Sequence, residues 1–176
     1  KILITGAGGF IGSYLVEEAL SRGFEVYAGV RKSTNLEYLQ DERINFITLN
    51  FADREQLTKE ITEFVAVNGK WDYIVHNMGI TKTLDPFMFD KINYAYLKAF
   101  VDVLISTGNV PEKFVYMSSL SAWRSDTKDL YEIDDKEHPY PSSSYGRSKF
   151  RGELYLRSLK NFPFVAIRPT GVYGPR

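Results

Sequence analysis

The stretch "TGAGGFIG", Thr5 to Gly12, decides how this chain is read. Gly6, Gly9 and Gly12 stand three apart, after the apolar run "KILIT" (1–5) and at the start of a segment with helical period. In "FIGSYLVEEALSR" (10–22) the apolar positions Ile11, Leu15, Ala19 and Leu20 fall on one helical face, and Gly23 is a stop signal. A strand, a glycine turn and a helix in that order form a phosphate cradle. One glycine permits the tight turn, one lets a pyrophosphate approach the backbone, and one lets the helix pack on the strand. The free N–H groups of the first helical turn then face the anion. Gly6, Gly9, Phe10, Ile11 and Gly12 are therefore the expected contacts to a dinucleotide.

The rest of the chain repeats the alternation. "EVYAGV" (25–30), "INFITL" (44–49), "YIVH" (73–76), "KFVYMS" (113–118) and "FVAIR" (164–168) read as strands. Residues 54–67 carry helical period through Leu57, Ile61, Phe64 and Val65, and longer helices are expected near 89–106 and 144–160. Strand and helix in alternation imply right-handed crossovers and a parallel sheet. The expected fold class is α/β: a Rossmann-type doubly wound parallel sheet with helices on both faces, in one dinucleotide-binding domain over residues 1–176. Residues 120–142 break the rhythm with a long, acid-rich connection, either a solvated surface loop or a functional one.

Composition narrows the function classes. The 176 residues suffice for one core, and 22 Lys+Arg balance 22 Asp+Glu, so charge offers no case for nucleic acid or an anionic membrane. Cys is absent, which excludes disulfides and thiolate metal sites and suits the cytoplasm. His76 and His138 lie far apart in sequence, so no metal site is expected. No apolar run reaches the length that spans a bilayer. The chain opens on a strand, without Met and without a basic-then-apolar leader, which suggests an incomplete or processed chain.

Two further stretches carry chemistry. At the end of the second strand, "YAGVRKS" puts Val30 near the place where NAD sites usually carry Asp or Glu for the ribose 2′-OH. Arg31 and Lys32 follow, and two cations suit a 2′-phosphate, so NADP is the preferred expectation, with NAD open. In "SSSYGRSKF" (142–150), Tyr145 and Lys149 are four apart and share one helical face. A free tyrosine has a pKa near ~10. A nearby ammonium favours the phenolate, so Lys149 is expected to lower that value.

With these residues together, the sequence resembles the extended branch of the short-chain dehydrogenase/reductase superfamily. That branch includes nucleotide-sugar epimerases and dehydratases and dihydroflavonol-reductase-like enzymes. "HNMG" (76–79) is similar to the segment that ends the fourth strand beside the cofactor. Asn93 in "DKINYAYLKAF" matches the asparagine that opens the active-site helix. "FVYMSSLSAW" resembles the strand bearing the catalytic serine or threonine, "PSSSYGRSK" the Tyr-x-x-x-Lys signature, and "RPTGVYGPR" the segment after the sixth strand. The resemblance implies that Ser119 holds the substrate oxygen and Tyr145 transfers its proton. It also implies that Lys149 holds the nicotinamide ribose and Asn93 supports that lysine through a water. Asn50, Phe51, Asn77, Met78, Gly79, Pro169 and Val172 would then join Tyr145 and Lys149 along the cofactor.

Departures accompany the likeness. Asn50 stands where the family often has Asp near the adenine, with Asp53 three residues on. Ala122-Trp123-Arg124 replaces Val-Tyr-Gly, so Ser119 is placed by counting, with Ser118 and Ser121 close by. His76 reads as structural or cofactor-lining, and Trp123 and Tyr131 as pocket or packing aromatics. The run "EIDDKE" (132–137) reads as solvated. Reduction of a carbonyl, epimerisation of a nucleotide sugar on tightly bound NAD, and a non-catalytic NADP(H)-sensing regulator are the competing functions. Leu120 and Ser121 after Ser119, where dehydratases of the branch typically place acids, weaken dehydration. A homodimer through the two long helices is a family-level expectation. The chain stops at Gly174-Pro175-Arg176, where the branch continues into a substrate-closing portion. A truncated chain that binds cofactor and turns over weakly by itself is therefore expected.

Overall fold

The computed structural model describes residues 1–124 and 138–175. Tyr131 and the acid run 132–137 lie outside the described residues. Strands β1 (Ile2–Thr5), β2 (Val26–Gly29), β3 (Asn45–Ile47), β4 (Tyr73–His76), β5 (Lys113–Met117) and β6 (Phe164–Ile167) form one six-stranded sheet. Its order is β3-β2-β1-β4-β5-β6, with every pairing parallel. The chain runs outward from β1 to β3, then returns past β1 to β4. The strand order therefore reverses between β1 and β4, where a doubly wound sheet opens its ligand crevice.

Alternation along the strands sorts the core into two layers. Leu3, Tyr27, Ile74 and Phe114 pack with Leu57, Ile61, Phe100, Leu104 and Leu156. These last come from α2 (Arg54–Asn68), α4 (Tyr96–Ser106) and α5 (Ser144–Ser158). Ile2, Ile4, Val26, Ala28 and Val75 face the other way, against Val16, Ala19 and Leu20 of α1 (Phe10–Ser21). Every residue of β1 is buried, which explains the unbroken apolar run "ILIT".

Caps mark the helix starts. The Asp53 side chain accepts from Gln56 N–H at 3.0 Å, and Ser143 accepts from Gly146 N–H at 2.9 Å. Trp71 stacks on Phe64 at 4.2 Å and closes the bottom of the larger layer.

The helix expected over 89–106 is not uniform. A short α3 (Phe87–Phe89) leads into a π-helical turn over Asp90–Ala95, and only then does α4 begin. The wider turn carries buried Asn93, and such turns recur at functional sites. After β5 the chain makes a tight turn over Leu120–Ala122. The two ends of the long connection meet where Tyr140 N–H donates to Trp123 C=O at 2.6 Å. Among the described residues, no helix is long and apolar enough to cross a membrane.

Candidate active site

The glycine loop sits at the switch point. Gly6 has φ +67°, a left-handed conformation that an L side chain strains to adopt. A Cβ on Gly12 would lie 2.1 Å from Gly6 O, so glycine there lets α1 settle onto the strand end. Gly9 differs. It is exposed, its φ is −80°, and a Cβ on it would meet only Gly6 O at 3.3 Å. A side chain there would crowd Gly6 O and cover the exposed backbone, which as glycine stays open to an approaching anion. Gly9 is also the N-cap of α1, where no side chain caps the first N–H groups and no acid stands in the first turn. The loop therefore fits a pyrophosphate.

Neighbouring loops frame it. Asn77 Nδ2 donates to Gly6 O at 3.3 Å, and Met78 N–H donates to Thr5 Oγ1 at 3.2 Å. Arg31 N–H donates to Thr34 Oγ1 at 2.9 Å, closing a turn that presses Thr34 against Gly8. Arg31 and Lys32 lie exposed on that rim, and so does Asn50 at the end of β3. Asn50 Oδ1 accepts from Ala52 N–H at 3.2 Å. Phe51 turns its ring into the core against Phe100, Tyr96 and His76. On the far side, Gly174 packs against Phe10, so the segment holding Pro169 and Val172 runs from β6 back to the start of α1.

The expected catalytic side chains meet below this loop. Tyr145 lies in the first turn of α5 and is half-buried. Burial raises the Tyr145 pKa, and the nearby Ser119 hydroxyl opposes that rise. Lys149, expected to lower it, is not among the causes of the shift. Its own ammonium is buried, donates to Met117 C=O at 2.9 Å, and is pushed down to about 8 by desolvation.

Of the neighbouring serines, Ser118 is buried and turned toward Glu153, while Ser121 offers its N–H to Ser119 Oγ at 3.2 Å. Ser119 is the one that meets Tyr145. Asn93 acts through its protein neighbours. Its Oδ1 accepts from Ile80 N–H at 2.8 Å, and its Nδ2 donates to Ile80 O at 3.0 Å and Ser148 Oγ at 3.1 Å. Asn93 Oδ1 and Lys149 Nζ both close on Gly79, within 3.0 Å of where its Cβ would stand.

His76 is completely buried among Phe51, Phe100, Phe114 and Tyr116 and bonds Thr5 Oγ1 through Nδ1. Burial first, and then the Lys149 charge, push its pKa down to about 3, so it is a neutral structural ring. Trp123 packs under Arg168. Among the described residues, no three His, Cys, Asp or Glu side chains converge as a metal site.

A model of the NAD dependent epimerase/dehydratase family matches residues 2–176. The chain belongs to that family. Solved relatives share the fold of this family member. UDP-glucose 4-epimerase of Thermus thermophilus, in complex with NAD, is 26% identical with a TM-score of 0.82, over 99% of this chain and 56% of its own. UDP-glucose 4-epimerase of Thermotoga maritima, with UDP-glucose, is 25% identical with a TM-score of 0.82, over 99% and 57%. The Bordetella bronchiseptica enzyme WbmH, in complex with NAD+, is 26% identical with a TM-score of 0.79, over 100% and 57%. The chain thus spans a little over half the length of these three solved relatives.

Sequence reading did not reach the residues that hold the expected site together. Thr5, Thr34, Ser118, Ser148, Glu153 and Arg168 all act through contacts distant in sequence. One signal was available: Glu153 stands four residues after Lys149, an acid on the helix face that points to the core.

Proposed function

We propose that this chain forms the dinucleotide-binding half of an enzyme that moves hydride to and from a hydroxyl-bearing carbon of a nucleotide sugar. The observation that carries this reading is buried Lys149, which bonds Met117 C=O at the end of β5 and closes on Gly79 together with Asn93, with the Ser119 hydroxyl acting on the Tyr145 phenol one helical turn earlier. Gly6, Gly9 and Gly12 with the first turn of α1 bind the pyrophosphate, and Phe10, Ile11, Asn77, Met78 and Gly79 line its path. Lys149 holds the nicotinamide ribose, and Asn93 steadies Lys149 from beneath Gly79. Ser119 and Tyr145 hold the substrate oxygen. Burial keeps the Tyr145 phenol protonated at neutral pH, which sets it to donate a proton to a carbonyl oxygen. When bound, the oxidised dinucleotide supplies a hydride acceptor and a positive charge that draws the phenol's pKa down.

The solved epimerases favour epimerisation and NAD over the NADP suggested by Arg31 and Lys32. NADP is the second reading, favoured by those two exposed cations at the rim. In the whole enzyme, whose solved relatives are about twice this length, a pair of copies packed through α4 and α5 is the expected assembly.

Titration of the purified chain with NADH and NADPH, followed by nicotinamide fluorescence, tests both readings. Tighter binding of NADH is expected. An NADPH preference that disappears in Arg31→Ala would establish the second reading, and binding of neither would overturn the proposal. The chain alone is expected to bind dinucleotide and turn over UDP-glucose poorly. Fast turnover would show that the remaining half of the relatives' length is dispensable.

A further inference from the structure

The carboxylate of Glu153 is completely buried in α5 and fully bonded. Its Oε1 accepts from the Ser118 hydroxyl at 2.6 Å and from Arg168 Nε at 2.8 Å, and its Oε2 accepts from Arg168 Nη2. Arg157 stands 3.7 Å from Oε2, and the Arg168 guanidinium lies 4.6 Å from the centre of the Trp123 ring. A buried ion pair contributes little net stability over apolar residues of the same shape, so its place in the fold matters more than its strength.

That place is the seam between α5 and the end of β5. Lys149 Nζ holds Met117 C=O at 2.9 Å, and one helical turn later Glu153 holds Ser118. Met117 and Ser118 are thus each gripped by α5 directly before Ser119, whose hydroxyl acts on Tyr145 in the first turn of the same helix. Arg168 fastens the same point from β6. There, Ser118 N–H donates to Ile167 O at 2.8 Å and Leu120 N–H donates to Pro169 O at 3.0 Å, bracketing Ser119.

We infer that Glu153 and Arg168 are positioning residues that hold Ser119 in register with Tyr145. The ion pair ties α5, the Ser119 turn and the exit of β6 into one rigid unit, so the serine and the phenol keep their separation. This rests on reading Ser119 and Tyr145 as the reacting pair.

The test uses the whole chain without dinucleotide, labelled with ¹³C at the tyrosine Cζ, whose shift reports hydrogen bonding of the phenol. Tyr145→Phe assigns the resonance, and Ser119→Ala gives its value without the serine hydroxyl. Thermal unfolding of each variant checks that it is folded. The double variant Glu153→Leu/Arg168→Met, which replaces the pair by apolar side chains, is expected to move the Tyr145 resonance to the Ser119→Ala value. Ser118→Ala, which leaves the ion pair whole, is expected to move it part of the way. A wild-type resonance in the folded double variant would overturn the inference. Should the double variant not fold, an unchanged resonance in Ser118→Ala would do the same. Failure of the chain to bind dinucleotide would count against the proposed function and leave this measurement intact.

Discussion

Lys149 shows what a single residue costs and why it is kept. Burial of its ammonium brings the pKa from 10.5 to about 8. At about 1.4 kcal/mol per pKa unit, holding the charged form costs on the order of 3 kcal/mol at neutral pH. The bond to Met117 C=O returns about 1 kcal/mol. The unfolded lysine titrates near its ordinary value and the folded one lower. Between about 8 and 10.5 the unfolded chain therefore binds the extra proton, and stability rises with pH through that window. Lys149→Met should accordingly be more stable than wild type by about 2 kcal/mol at pH 7, with the advantage gone by about pH 10. Urea denaturation of both proteins across that range checks it; a pH-independent difference would mean that the lysine is not titrating in the fold. Thr5 works in the opposite sense, as a stabilising joint. Its hydroxyl oxygen accepts from Met78 N–H and bonds His76 Nδ1, so one small side chain ties β1 to the loop after β4. Burial and the Lys149 charge hold the His76 pKa at about 3, so this enclosed imidazole is too weakly basic to take a proton from substrate.

Among the elements, the π-helical turn and α5 carry the geometry. The turn Asp90–Ala95 aims the Asn93 carboxamide at both backbone groups of Ile80, satisfying a loop that would otherwise bury them unpaired. Asn93→Ala should cost about 2–4 kcal/mol, because an orphaned buried polar group loses more than the bond itself is worth. Equilibrium unfolding measures this; a loss under about 0.5 kcal/mol would show that water replaces the carboxamide.

The same elements mark where sequence reading succeeds and stops. The glycine loop was legible because its spacing, the strand before it and the helix after it are all local. Tyr145 and Lys149 were legible because residues four apart share a helical face. The π turn was not, since no residue pattern in "DKINYA" distinguishes it from an α-helix, and the Ile80 backbone that Asn93 meets is brought there by the fold. The choice of Ser119 over Ser118 came from counting. The fold adds the physical reason, because Glu153 already claims Ser118. In the chain without dinucleotide, burial raises the Tyr145 pKa and Lys149 is not among the causes, because proximity on a helix says nothing of burial, which dominates at both groups.

At the scale of the whole molecule, the two faces of the sheet are unequally covered. α2, α4 and α5 cover one face, while among the described helices only α1 packs on the other, over β1 and β2. The register pairs Val115 with Val165 and Met117 with Ile167, so these side chains form a ladder across β5 and β6. Val165 is 45% exposed and Ile167 44%, and β6 is also the edge of the sheet. An apolar ladder beside an open strand edge favours self-association. The isolated chain should therefore bind a hydrophobic dye and sediment with a mass that grows with concentration. Val165→Thr/Ile167→Thr should reduce both while leaving the unfolding midpoint nearly unchanged, because side chains this exposed give up little burial when made polar. Unaltered sedimentation would move the contact to the helical face formed by α4 and α5.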